Sequence, residues 1–205
     1  MARIARVVAP GLPHHIVQRG NRRQRVFFTE QDRTEYLRIL REQSLRFNVS
    51  IWAYCLMENH VHLVVVPESK EGLSRMFGET HRRYTCRVHL REGWSGYLWQ
   101  GRFMSYVLNE KHLYAAVRYV EQNPLKAQMV AKAEDYPWSS AKAHVYRTAD
   151  AVLSKFFLLD EIKNWSEFLR SWDKEEELEL EHHLKTGRPM GDDSFIACLE
   201  NSLGR

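Results

Sequence analysis

The spacing of hydrophobic and polar positions changes several times along the chain, and each change marks an element. His14-His15-Ile16-Val17-Gln18-Arg19 follows the turn chemistry of Gly11-Leu12-Pro13 and reads as a first strand. After a polar, basic loop from Gly20 to Arg25, Thr29 with Asp32 three residues on marks a helix start. Tyr36, Leu37, Leu40 and Leu45 carry the helical spacing to about Phe47. Val49 to Leu56 is rich in β-branched and aromatic residues. The short Met57-Glu58-Asn59 link leads directly to His60-Val61-His62-Leu63-Val64-Val65-Val66, which predicts an antiparallel hairpin ended by Pro67. Leu73, Met76, Phe77, Tyr84 and Val88 mark a second helix from Leu73 to Leu90, with Arg75, Arg82, Arg83 and Arg87 on its other face. Phe103 to Leu108 is a fourth strand. Asn109 can cap a third helix, Glu110 suits its first turn, and Leu113, Ala116, Val117 and Val120 form its buried stripe up to Pro124.

Strand, helix, strand, strand, helix, strand is the split βαβ order of ferredoxin-like folds, so the predicted class is α+β: an antiparallel sheet with helices packed on it. The character changes beyond Tyr136-Pro137-Trp138-Ser139-Ser140. A linker is predicted near Arg147 to Asp150, then helical segments at Asp160 to Leu184, a break at Thr186-Gly187-Arg188-Pro189, and a last helix from about Asp192 to Leu203. This divides the chain into a catalytic domain, 1–147, and a helical C-terminal extension, 148–205.

Charge adds a direction to this picture. The net charge of the 205 residues is only +4, but Arg3, Arg6, Arg19, Arg22, Arg23 and Arg25 all precede the first acid, Glu30, while Asp173 to Glu181 is mostly acidic. Such asymmetry points to a negatively charged partner, such as nucleic acid, on the N-terminal part, and away from the acidic segment. Cys55, Cys86 and Cys198 have no CxxC spacing, so neither a disulfide framework nor a cysteine zinc site is supported. No apolar leader segment and no membrane-length apolar run is present, which predicts a cytoplasmic protein with no membrane partner.

The candidate chemistry sits on the hairpin and the third helix. A strand period of two puts His60 and His62 on one face, with Val61, Leu63 and Val65 on the other. Two imidazoles so placed can hold one metal ion, and they equally suit the polar face of a half-buried strand. Tyr119 and Asn123, four residues apart, share a helix face off the apolar stripe. If that face packs over the histidines, Asn123 supplies an oxygen as third ligand and Tyr119 brings a phenol beside the ion; the competing reading is a partly buried aromatic on an amphipathic helix. The residue before Pro124 is Asn123, and pre-proline residues tend to leave the helical region. Imidazole and hard-oxygen ligands with open positions suit Mg²⁺ or Mn²⁺, whereas zinc is more often met by a third His or a carboxylate.

The motif His60-Val61-His62 with Tyr119-Val120-Glu121-Gln122-Asn123-Pro124 downstream resembles the HUH single-tyrosine transposases, specifically the REP-associated tyrosine transposases of bacteria. Pro13 to Arg23, Leu98-Trp99-Gln100-Gly101-Arg102-Phe103, Asn123-Pro124-Leu125-Lys126-Ala127 and Tyr136 to Ser140 look like the same family, from about Arg3 to about His144, and Thr186 to Pro189 resembles a tail found on some members. The resemblance implies a metal-dependent endonuclease and strand transferase acting on single-stranded DNA near imperfect palindromic hairpins. Tyr119 is then the nucleophile that forms a 5′-phosphotyrosine link and frees a 3′-hydroxyl, and His60, His62 and Asn123 are the metal ligands. Glu58 departs from the pattern, since relatives usually carry proline there; it is read as a turn residue. Relatives of this kind look monomeric, while other single-tyrosine transposases dimerise.

Arg3, Arg6, Asn21, Arg22, Arg23, Arg25, Arg82, Arg83 and Arg87 are the candidates for DNA contact, since arginine neutralises phosphate and reads guanine edges. Trp99 and Phe103 could stack on unpaired bases, but core packing is the more ordinary role for both. Of the remaining histidines, His14, His15, His81, His112 and His144 read as structural, with His15 the one expected to face the site. Two other functions are compatible with parts of this pattern: a catalytically weak, domesticated DNA-hairpin-binding protein, and a metal-dependent hydrolase of small phosphoesters that needs neither Tyr119 nor the arginine surface.

Overall fold

The computed structural model of the chain describes residues 6–171, 178, 180, 182 and 189–203. Four strands, β1 (His14–Arg19), β2 (Val49–Leu56), β3 (His60–Pro67) and β4 (Met104–Val107), form one antiparallel sheet in the order β2-β3-β1-β4. Helices α1 (Glu30–Arg46) and α2 (Gly72–Glu92) cross between strands, and α3 (Glu110–Lys126) follows β4. This is the predicted split βαβ arrangement.

Strand alternation assigns each side chain to a layer. Ile16, Tyr54, Leu56, Val61, Leu63 and Val65 are buried with Tyr36, Leu40, Phe77 and Tyr84 of α1 and α2. Val17, Ala53, Cys55, Val64 and Tyr106 are buried with Leu113, Ala116, Val117 and Val120 of α3. A β-bulge between Ile51 and Ala53 leaves Trp52 as an extra residue. The extra residue reverses the phase of β2, so Ile51 belongs to the first layer and Ala53 to the second.

Local signals in the sequence account for the helix starts. The Thr29 side chain accepts from the Asp32 amide, and the Asp32 carboxylate accepts from the Thr29 amide, a complete capping box that contributes on the order of 1 kcal/mol. Asn109 caps α3 by accepting from the His112 amide at 3.0 Å. The far end of α3 runs past Pro124 to Lys126, where the sequence suggested a stop. Proline so close to the end forfeits one intrahelical hydrogen bond, and Asn123 O still accepts from the Ala127 amide at 3.0 Å.

After α3 the chain folds back over it. Helix α4 (Ala141–Tyr146), which the sequence pattern did not signal, is followed by α5 (Leu158–Glu161) and α6 (Trp165–Arg170). The helical stretch expected from Asp160 therefore begins two residues earlier and breaks at 162–164, where the Asn164 side chain caps α6 by accepting from the Glu167 amide. Phe156, Leu158, Trp165 and Leu169 are buried in the α3 layer. Met190 bridges to Leu108 at the sheet edge, and α7 (Asp193–Leu203) ends the described chain. Thr186, Gly187 and Arg188, and Asp173 to Glu177 with Glu179 and Glu181, lie outside the described residues. No helix among the described residues is long and apolar enough to cross a membrane.

Candidate active site

The face of the sheet under α3 gathers an unusual set of polar side chains. His60 and His62 on β3 pair in register with Arg19 and Val17 of β1, and paired residues share a face. His15, two residues before Val17, therefore joins them, and its Nε2 lies 3.0 Å from His62 Nδ1. Tyr119 of α3 closes over this group. Its ring centroid is 5.5 Å from that of His62 and 5.9 Å from that of His15. Asn123, one turn further on, is within hydrogen-bonding reach of the His60 ring. The four predicted residues, His60, His62, Tyr119 and Asn123, thus meet in one place.

The hydrogen bonds around the two rings decide what they can bind. His60 Nδ1 lies 2.6 Å from Asn59 Oδ1, which can only accept, so His60 donates there and leaves its Nε2 lone pair free of that proton. The His15–His62 contact leaves the same atom of His62 available when His62 donates to His15. Asn123 uses Nδ2 to donate to the Tyr119 carbonyl at 2.8 Å, so its Oδ1 remains to accept. Burial, the Arg19 charge and opposing support from the Asn123 hydrogen bond set the His60 pKa to about 4. Burial, followed by the charges of His15, His60 and Arg19, holds His62 well below the ordinary 6.5. Both rings are therefore neutral near pH 7, the form in which imidazole ligates a cation. Two imidazole nitrogens and one amide oxygen fit a divalent cation with open positions. Among the described residues, no set of three His, Cys, Asp or Glu side chains is grouped to hold an ion.

Three neighbours extend the site beyond the residues that the motifs marked. Arg19 lies beside His60 and acts on both histidines; Asn59 orients His60; and Lys126 Nζ sits 4.8 Å from the centre of the Tyr119 ring. Their signals were present but faint: Arg19 is four residues, two strand repeats, from His15, and Lys126 is two helical turns from Tyr119.

Helix α3 is fixed from behind. Glu121, fully buried between Tyr119 and Asn123 in sequence, accepts from Ser140 Oγ at 2.5 Å, from His144 Nδ1 at 2.6 Å and from Trp165 Nε1 at 2.7 Å. Tyr114 donates to Glu161, Arg118 to the Ser171 carbonyl and Gln122 to the Leu169 carbonyl. The chain after α4 therefore grips α3 along its outer side.

The basic loop is attached to the same end of the sheet. Gly20 N donates to the Asn59 carbonyl, the Asn59 side chain donates to the Arg23 carbonyl at 3.1 Å, and Val26 N donates to the Glu58 carbonyl. A Cβ on Gly20 would lie 2.2 Å from the Gln24 carbonyl oxygen, so only glycine permits the approach. Arg22 and Arg23 hold positive φ of 52° and 60°, a costly conformation for two arginines in succession. Asn21 is half-buried, and both arginines project from the surface. Arg25 pairs with Glu58 at 2.9 Å, which makes Glu58 a turn residue with an exposed ion pair. Arg82 and Arg83 pair with Glu79 and Glu42, on the opposite side of the sheet from Tyr119, and Arg87 is exposed on the same helix. Arg6 lies 3.6 Å over the Phe103 ring and donates to the Phe103 carbonyl. Arg3 lies outside the described residues. Trp99 and Phe103 belong to the core under α2.

Comparison with known proteins agrees with this geometry. Residues 9–123, more than half of the chain, match the family described as IS200-like transposases. A REP-associated tyrosine transposase of Escherichia coli K12 is 25% identical over 129 residues, 62% of this chain and 74% of that protein. A solved REP-associated tyrosine transposase bound to a REP hairpin superposes with a TM-score of 0.61 at 23% identity, covering 76% of this chain and 93% of that one, which establishes the shared fold. With the fold, the sheet order and the match across 9–123 in agreement, the chain belongs to the IS200-like transposase family.

Proposed function

We propose that the protein is a metal-dependent endonuclease and strand transferase for single-stranded DNA flanking an imperfect palindromic hairpin. The observation that carries this reading is the placement of Tyr119 against His62 and His15 on the helix that also delivers Asn123 to His60. The hairpin enters because the solved relative with this fold is bound to one.

His60, His62 and Asn123 would hold Mg²⁺ or Mn²⁺. Bound there, the cation would polarise the scissile phosphate as a Lewis acid. Tyr119 contributes the nucleophile: its phenolic oxygen bonds to phosphorus as the bond to the 3′ oxygen breaks. The products are a 5′-phosphotyrosine link and a 3′-hydroxyl, which takes up a proton as the phenol loses one. A phenol of ordinary pKa, about 10, is a weak nucleophile, so positioning matters, and the packing of Tyr119 against two buried rings supplies it. Lys126 beside the Tyr119 ring and Arg19 beside His60 add positive charge near that position. The basic loop at Arg22 and Arg23, tied to Asn59 beside His60, is placed to hold backbone phosphates near the site.

The test is a denaturing gel after incubation with hairpin-bearing single-stranded DNA and Mn²⁺. The wild-type protein forms a covalent band and Tyr119→Phe forms none. An undiminished band from Tyr119→Phe would remove Tyr119 from the role. Tight hairpin binding with no wild-type band would instead favour a binding protein that has lost catalysis.

A further inference from the structure

His15 is fully buried on the sheet face under α3, and its polar contact is with a candidate ligand rather than with a carbonyl or a carboxylate. Its Nε2 lies 3.0 Å from His62 Nδ1, and the two rings stack with centroids 5.2 Å apart and an interplanar angle of 30°. Tyr106 and Tyr119 flank it at 6.2 and 5.9 Å. Its other ring nitrogen, Nδ1, is buried with no hydrogen-bond partner among the described residues. Burial disfavours the charged form of both rings, so each carries one N–H and one bare nitrogen.

The two protons can be placed in four ways, and the 3.0 Å contact removes two of them. Protons on both facing nitrogens would clash, and protons on neither would set two lone pairs against each other. In the first arrangement that remains, His15 Nε2 donates to His62 Nδ1. The His62 proton then sits on Nε2, the atom needed for ligation, and His15 Nδ1 is a bare lone pair. In the second, His62 Nδ1 donates to His15 Nε2 and His62 Nε2 is bare. The His15 proton then sits on Nδ1, where nothing accepts it. A buried N–H without an acceptor is the rarer and costlier defect, so the first arrangement is the resting one. His60 has no such choice. Asn59 Nδ2 donates to the Arg23 carbonyl, which turns Asn59 Oδ1 toward His60 Nδ1 and fixes the proton there.

We propose that His15 is a positioning residue that acts as a tautomer switch for His62. At rest, its donated hydrogen bond keeps the His62 proton on Nε2. When His62 Nε2 is freed for ligation, His15 passes its own Nε2 proton to His62 Nδ1. His62 Nε2 releases one proton to solvent and His15 Nδ1 takes one up, so the charge of the pair is unchanged. The N–H stranded on His15 Nδ1 holds cation affinity down, and the returned hydrogen bond keeps the His62 ring aimed. The inference rests on the proposed metal site but concerns a side chain that touches neither cation nor DNA.

Long-range ¹H–¹⁵N NMR of protein labelled with ¹⁵N-histidine, assigned through the backbone of β1 and β3, reads which ring nitrogen carries each proton. Without metal, His15 and His62 are both protonated on Nε2 and His60 on Nδ1. At saturating Mg²⁺ the His15 and His62 protons are both on Nδ1, while His60 keeps its own. A histidine that merely filled space would not change tautomer. His15→Phe keeps a ring in place but removes the acceptor, and its Mn²⁺ affinity falls about tenfold. A His15 proton that stays on Nε2 while His60 and His62 respond to Mg²⁺ would overturn the switch and leave the metal site standing. So would a His62 already protonated on Nδ1 without metal, or unchanged Mn²⁺ affinity in folded His15→Phe. The wild-type spectra decide the matter if that variant does not fold. No response of His60 and His62 to Mg²⁺ would overturn the functional reading, and the switch with it.

Discussion

Glu121→Ala isolates the grip of the C-terminal chain on helix α3. The Glu121 carboxylate is fully buried and is the shared acceptor for Ser140, His144 and Trp165, groups from two different segments. Each bond is short, and a net worth of about 1–1.5 kcal/mol apiece gives a loss of about 3–4.5 kcal/mol, in line with the 3–5 kcal/mol typical of removing one partner from a buried charged pair. For a chain of this length that lowers the melting temperature by about 6–18 °C. Glu121→Gln is a gentler change. Its carbonyl can keep the Trp165 bond while its amide donates to the other tautomer of His144, so the expected loss is about 1 kcal/mol. Urea unfolding followed by tryptophan fluorescence reads both values, because Trp165 sits in the network. Adduct formation at a temperature where both variants are folded should fall further for Glu121→Ala, since Tyr119 and Asn123 flank the lost anchor. A Glu121→Ala loss below about 1 kcal/mol would refute the claim that this carboxylate holds the tail to α3.

Acid should destabilise the fold before it reaches the carboxylates. Burial lowers the pKa of His14 to about 4, against a backbone hydrogen bond that raises it, and lowers His15 to about 3. The unfolded chain, at 6.5, then binds more protons as pH falls through the window from 6.5 to about 3. Stability is therefore full above 6.5 and declines below it, by about 2 kcal/mol per ring at pH 5, and a urea midpoint unchanged between pH 8 and pH 5 would count against neutral buried rings. Asn59→Ala releases His60 from its orienting acceptor, and Mn²⁺ affinity measured by titration should drop about 10–100-fold; unchanged affinity would deny Asn59 that role. Arg22→Ala should flatten the salt dependence of hairpin binding by about 0.7–0.9 in log–log slope, one phosphate contact, whereas an unaltered slope would place Arg22 off the DNA.

Much of the fold was legible because its signals are local. The His60–Pro67 strand, the hairpin that leads into it and the Thr29 capping box follow from alternation, turn chemistry and a three-residue spacing. The meeting of His60, His62, Tyr119 and Asn123 was legible at one remove, since strand period two and helical spacing of four fix faces once the topology is set. What was hidden depends on distant pairs. His15 was expected to face the site and does, but its pairing with His62 needs the β1–β3 register, and the Glu121 network draws on residues 19 to 44 positions away. Arg82 and Arg83 read as a free basic face, yet each meets an acid of α1 or α2. Pro124 shows a local rule yielding to context: a single lost hydrogen bond near the helix end did not stop α3.

The proposal that Tyr119 is the nucleophile of a DNA strand transferase has a direct test. Its most direct measurement is mass spectrometry of the protease-digested covalent adduct formed with hairpin single-stranded DNA in Mn²⁺. The expected product is a nucleotide joined through its 5′-phosphate to the peptide containing Tyr119, with the released strand ending in a 3′-hydroxyl. A 5′-phosphate carried by any other residue, or cleavage that leaves no protein-linked nucleotide, would contradict it.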